Sequence, residues 1–195
     1  MSAEEHHDDA DLQPTFAEGY KPGEKKTLDA YRELDKEDES LARWKASLGI
    51  ANNMPTEASG PKVTVLSLTL TSPTLDTPII MSLADHTDFK TNPVTIKEGV
   101  DYSVTITFKV NHGLITGLRF MQVVKRGPLT VDKMDAMIGS YTATETPYTK
   151  QLASEQAPKG VVARSGTYHA RSRVVDDDKE VFADFRWIFT IGKDW

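Results

Sequence analysis

From Lys62 onward the chain alternates apolar and polar positions. In "YSVTITFKVNHG", Tyr102, Val104, Ile106, Phe108 and Val110 fall on one side, and Ser103, Thr105, Thr107 and Lys109 on the other. That is the period-2 signature of a strand with one buried face. "VFADFRWIFTIG" repeats it with Phe185, Trp187, Phe189 and Ile191. "TYHARSRVV" sets Tyr168, Ala170, Ser172 and Val174 against His169, Arg171 and Arg173. "VTVLSLTLTSP", "PIIMSL" and "GLRFMQVVKRG" supply further strands, with Gly, Pro, Asn or Asp between them. Short strands punctuated by turns across residues 58–195 predict an all-β fold, an immunoglobulin-like antiparallel β-sandwich. The chain has no cysteine, so the Cys–Trp–Cys core of antibody domains is missing.

Before this region the period changes. Residues 1–24 carry few apolar side chains and many charges, and read as a disordered acidic tail. Residues 25–57 read as a helical arm and linker. Leu28, Tyr31 and Leu34 recur at helical spacing behind a capping Thr27. In "ELDKEDESLARWKASLG", Asp38 can accept N–H bonds as N-cap and Glu39 suits the positive helix start. Leu41, Trp44 and Leu48 line one face, and Gly49 can end the helix. Both helices are too short to persist alone in water, so their apolar stripes need a partner surface. Charge sharpens the division. Residues 1–57 hold fourteen acids against seven bases, a balance of −7, whereas the remainder carries +1. Such an arm repels nucleic acid and anionic membranes and favours a basic partner.

Candidate chemistry is sparse. "HHDDAD" at 6–11 reads as a solvated tail rather than a metal site, and "VVDDDKE" at 174–180 as a hairpin turn without the glycine and spaced oxygens of a calcium loop. No GxSxG, Walker A or dinucleotide fingerprint occurs. Nothing here points to an enzyme, a metal or a cofactor, and basic residues do not interleave with aromatics as in a nucleic-acid binder. One pattern does suggest a ligand. Ala170 and Ser172 are small at inward positions opposite aromatic-rich strands, which leaves either tightly packed sheets or a slot for a long, thin apolar molecule.

Several segments resemble the Rho GDP-dissociation inhibitors. They are "YKP" at 20–22, "ELDKEDESL" at 33–41, "IKEGVDY" at 96–102, "FKVN" at 108–111, "VDKMDAMIGSY" at 131–141, "EQAPKGVVARS" at 155–165, "SRVVDDDK" at 172–179 and the closing "TIGKDW". They occur in family order and cover residues 20–195. Before Tyr20 no match is read.

The resemblance implies a cytoplasmic inhibitor and carrier of prenylated Rho-, Rac- and Cdc42-type GTPases in the GDP state. It implies a 1:1 complex, only transient membrane contact, and a geranylgeranyl group held between the sheets. By the same resemblance, Leu70, Val94, Tyr102, Leu114, Ala170, Phe185 and Trp187 line the prenyl site. Tyr20, Thr27, Asp38, Glu39, Ser40, Leu41, Trp44 and Asp132 meet the GTPase switch regions. Glu155, Asp176, Asp177 and Asp178 attract the basic segment before the prenylated cysteine. A general prenyl or acyl carrier of the same sandwich superfamily is the alternative. An extracellular adhesion or carbohydrate-binding sandwich is a more distant one.

Overall fold

A computed structural model describes residues 12–14, 33, 37–47, 60–83 and 91–195. The expected sandwich is present. Among the described residues, ten strands form two five-stranded sheets: β1 (Val63–Thr71), β2 (Ile79–Ser82), β3 (Val94–Lys97), β4 (Asp101–Val110), β5 (Leu114–Arg126), β6 (Leu129–Thr142), β7 (Tyr148–Gln151), β8 (Glu155–Gln156), β9 (Thr167–Val175) and β10 (Val181–Gly192). The first sheet runs β2-β1-β4-β7, with β8 also paired to β4. The second runs β3-β10-β9-β5-β6.

One pairing departs from the antiparallel expectation. β3 lies parallel to β10, with Val94 opposite Phe189 and Ile96 opposite Ile191. Parallel neighbours cannot be joined by a tight hairpin. These two are far apart in sequence, so no local turn signal announces their pairing.

The alternation translates directly into burial. Ile106, Phe108 and Val110 on β4 are sealed, as are Leu68 and Leu70 on β1. Ile96, Leu118, Phe120 and Val174 meet them from the other sheet in one core cluster. Aromatic rings close both halves. Phe108 lies edge-on to Tyr141 at 5.0 Å, and Tyr168 stacks on Phe189 at 4.9 Å. Such geometry adds to the area term through the ring quadrupoles.

The arm helix α1 spans Glu39–Ser47. Asp38 caps it as expected: its Oδ1 accepts the backbone N–H of Ser40 at 2.8 Å and of Leu41 at 3.1 Å. Two N–H groups without intrahelical partners are thereby satisfied. Leu41 is half-buried, while Asp38, Glu39 and Ser40 are exposed. Tyr20, Thr27, Leu48, Gly49 and the side chain of Trp44 lie outside the described residues. At the start of the chain, Leu12 and Pro14 are buried, where a disordered tail was expected.

Candidate ligand-binding site

The register of the sheets brings three side chains from separate strands to one opening. Tyr102 and Glu155 are opposite one another in the β4–β8 pair. Asp132 lies opposite Val124 in the β5–β6 pair. All three border a cavity of about 640 Å³ between the sheets, within the range of small-molecule sites. Its floor is apolar and buried: Ile96, Val124, Tyr168, Phe189 and Ile191. Its rim carries the exposed apolar residues Val131 and Val162 beside Asp132, Arg126 and Lys159.

A short helix, α2 (Val161–Arg164), brings Val162 and Ala163 to the cavity. Four residues at this corner are too few to hold themselves as a helix, so side chains fasten it. The Glu98 carboxylate accepts the N–H of Gly160 at 2.8 Å and a guanidinium N–H of Arg164. The Gly160 N–H, with Arg164, holds the Glu98 carboxyl below its ordinary pKa. Tyr168 donates its hydroxyl to the Ala163 carbonyl at 3.2 Å. Arg126 lies over the Tyr168 ring and donates to Ser165 Oγ at 2.7 Å.

The mouth is electrostatically biased. Tyr102 donates its hydroxyl to Glu155 Oε2 at 2.7 Å. Burial, then the neighbouring Glu155 carboxylate, pushes the phenol strongly up, so it stays a donor. Burial also pushes the Glu155 carboxyl up, the Tyr102 hydrogen bond opposes this, and Asp132 adds to it. Two carboxylates next to an apolar floor suit a ligand with a long apolar body and a cationic end.

A second, much smaller space of about 10 Å³ adjoins the first and shares Tyr102, Val124, Glu155 and Phe189 with it. Trp187, Phe120 and Met134 close it off. Of the two alternatives at Ala170 and Ser172, the close-packed one is found here. Trp187 is opposite Ala170 in the sheet, and its indole N–H donates to Ser172 Oγ at 3.2 Å. Ser172 donates in turn to Gln122 Oε1 at 2.9 Å. Both polar groups are buried and satisfied, as low-dielectric surroundings require.

Other expected residues are dispersed. Tyr102 and Trp187 line these spaces, whereas Leu70 is sealed in the β1 core and Val94 is half-buried on β3. Leu114 sits opposite Thr142 at the far end of β5, and Phe185 opposite Ser172. Ala170 is buried between Val124 and Trp187 in register. The acids do not form one patch. Val124 pairs with Ala170 but Arg119 with Val175, so the β9–β10 turn lies roughly 17 Å along the sheet from Asp132. Asp176 is buried and its Oδ1 accepts the N–H of Asp178 and of Glu180, both at 2.9 Å. It builds the turn. Asp177 packs against Gly117, and Asp178 is exposed.

Sequence reasoning placed Tyr168, Phe189 and Ile191 on inward faces but assigned them no ligand. Ile96, Ala163 and Val162 carried no signal, because a four-residue strand and a four-residue helix leave no measurable period.

Comparison with known proteins places the sequence in a family. The profile of a family described as "RHO protein GDP dissociation inhibitor" matches residues 2–194. The match therefore extends well before Tyr20, correcting the boundary read from the motifs alone. The Rho GDP-dissociation inhibitor of Schizosaccharomyces pombe is 39% identical over all of this chain and 97% of its own length. That of Saccharomyces cerevisiae is 41% identical over 89% of this chain and 90% of its own. Rho GDP-dissociation inhibitor 1 of Rattus norvegicus is 37% identical over 90% and 86%. The chain belongs to the Rho GDP-dissociation inhibitor family.

Proposed function

We propose that the chain binds geranylgeranylated, GDP-bound Rho-family GTPases 1:1 in the cytoplasm, slows their GDP release and withdraws them from membranes. The role is regulatory rather than enzymatic. The inter-sheet cavity with its Tyr102–Glu155–Asp132 mouth is the observation that carries this reading. The apolar floor receives the prenyl chain. The rim carboxylate of Glu155 attracts the basic segment that precedes the prenylated cysteine, and Asp132 beside it meets the switch regions. Trp187 and Met134 border the space into which a longer chain would extend.

The energetics explain why two modules share one chain. Burying a prenyl chain is worth about 0.8 kcal/mol per CH₂, on the order of 10 kcal/mol in all. A bilayer offers nearly the same gain, so the cavity alone cannot extract the GTPase. The arm adds protein contacts: Asp38, Glu39, Ser40 and Leu41 of the capped helix, with Tyr20, Thr27 and Trp44, meet the switch regions. Joining the modules makes the second contact intramolecular.

Equilibrium binding tests the division. Whole prenylated GTPase should bind at least tenfold tighter than a geranylgeranylated peptide of its tail. Equal affinities would instead favour a general prenyl or acyl carrier.

A further inference from the structure

The outer face of the second sheet, turned away from the cavity, carries a covered apolar patch. Met121 and Val123 on β5 and Val175 on β9 occupy this face, yet all three are buried. With Leu12 they form a cluster separate from the main core. Leu12 is 1% exposed, although it sits in a run of acidic residues.

Ion-paired arginines share this face, and one of them reaches the segment. Arg173 is held by Asp184, donating Nε at 3.0 Å and Nη2 at 2.6 Å to Oδ2. Its Nη1 donates to the Leu12 carbonyl at 3.3 Å. Arg171 shares Asp184 at 2.9 and 2.7 Å, and Arg119 grips Asp135 at 2.9 and 2.8 Å. The guanidinium that meets the tail is thus pre-positioned, and one hydrogen bond to it costs little further ordering. Charge agrees as well. Asp8, Asp9 and Asp11 precede Leu12 in sequence, and His169, Arg171 and Arg173 occupy this face of β9.

We propose that the outer face of β5 and β9 is a docking site for a short Leu-x-Pro segment, and that its occupant is this chain's own residues 12–14. The arm is then a loop pinned at both ends, by Leu12 and by β1. Pinning a second end confines α1 and raises its local concentration near the sandwich. The site is back to back with the cavity through a single strand: Met121 and Val123 serve one face of β5, Gln122 and Val124 the other.

The test uses the full chain with labelled Met and Val methyl groups, followed by NMR, without GTPase or lipid. Its outcome is therefore independent of the proposed function. Leu12→Ser should shift the Met121, Val123 and Val175 methyl signals and leave Val104 and Val110 in the core unmoved. Gln13→Ser, at an exposed position, should leave all of them in place. Unchanged Met121, Val123 and Val175 signals in Leu12→Ser would overturn the docking site.

Discussion

Tyr102 and Glu155 share a 2.7 Å hydrogen bond at the mouth of the cavity, between β4 and β8. The contact ties a phenol that stays protonated to a carboxyl whose pKa burial has raised. A raised carboxyl pKa means that the folded chain holds the proton more tightly than the unfolded one. The contribution of Glu155 is therefore fully present below about pH 4.3, the ordinary glutamate value, and is lost as the pH rises through the raised value. Glu155→Gln should flatten that part of the stability profile, measured by denaturant unfolding at a series of pH values. Tyr102→Phe should cost about 1 kcal/mol, more at neutral than at acid pH.

Asp184 has the opposite sign. Burial pushes its carboxyl up, but hydrogen bonds from Arg171 and Arg173 outweigh that and hold it below its usual value. Its contribution is present above the ordinary aspartate pKa and is lost as the pH falls through the lowered one. Asp184→Ala removes four hydrogen bonds from Arg171 and Arg173 and should destabilise by about 2 kcal/mol at neutral pH. The deficit should shrink in acid, read from the same unfolding curves.

Gly117 adopts φ +63°, and a Cβ there would stand 1.9 Å from the Asp177 carboxylate. Gly117→Ala should therefore cost about 2 kcal/mol through strain and collision together. Adding Asp177→Ala should recover the collision part but not the backbone part. A thermal-melt comparison of the single and double variants separates them.

How much of this was legible beforehand depended on local period. Ile106, Phe108 and Trp187 announced their strands because alternation marks a strand with one buried face. β6 did not, since Asp132, Lys133 and Asp135 make an exposed edge strand with little contrast between its faces. Asp38 was readable because an N-cap acts within three residues. Glu155 was grouped with Asp176, Asp177 and Asp178 by charge type, which says nothing about register: the fold puts Glu155 at the cavity mouth and the three aspartates at the β9–β10 turn. Leu12 was invisible for a similar reason: one apolar side chain among acids has no period, and its partners lie more than a hundred residues away on β5 and β9.

Losing the helix cap should weaken the arm. Asp38→Ala removes two backbone hydrogen bonds, worth about 1 kcal/mol, or roughly fivefold in the inhibition of GDP release. Deleting residues 1–57 should abolish that inhibition while geranylgeranyl-peptide binding persists. Fluorescent GDP release and peptide titration measure the two arms of this prediction.

Liposome extraction tests the central claim most directly. Geranylgeranylated, GDP-loaded Rho GTPase is bound to liposomes, excess full-length chain is added, and the vesicles are sedimented. The GTPase should move to the supernatant in complex with the chain. A GTPase that stays with the vesicles at saturating chain would contradict the account.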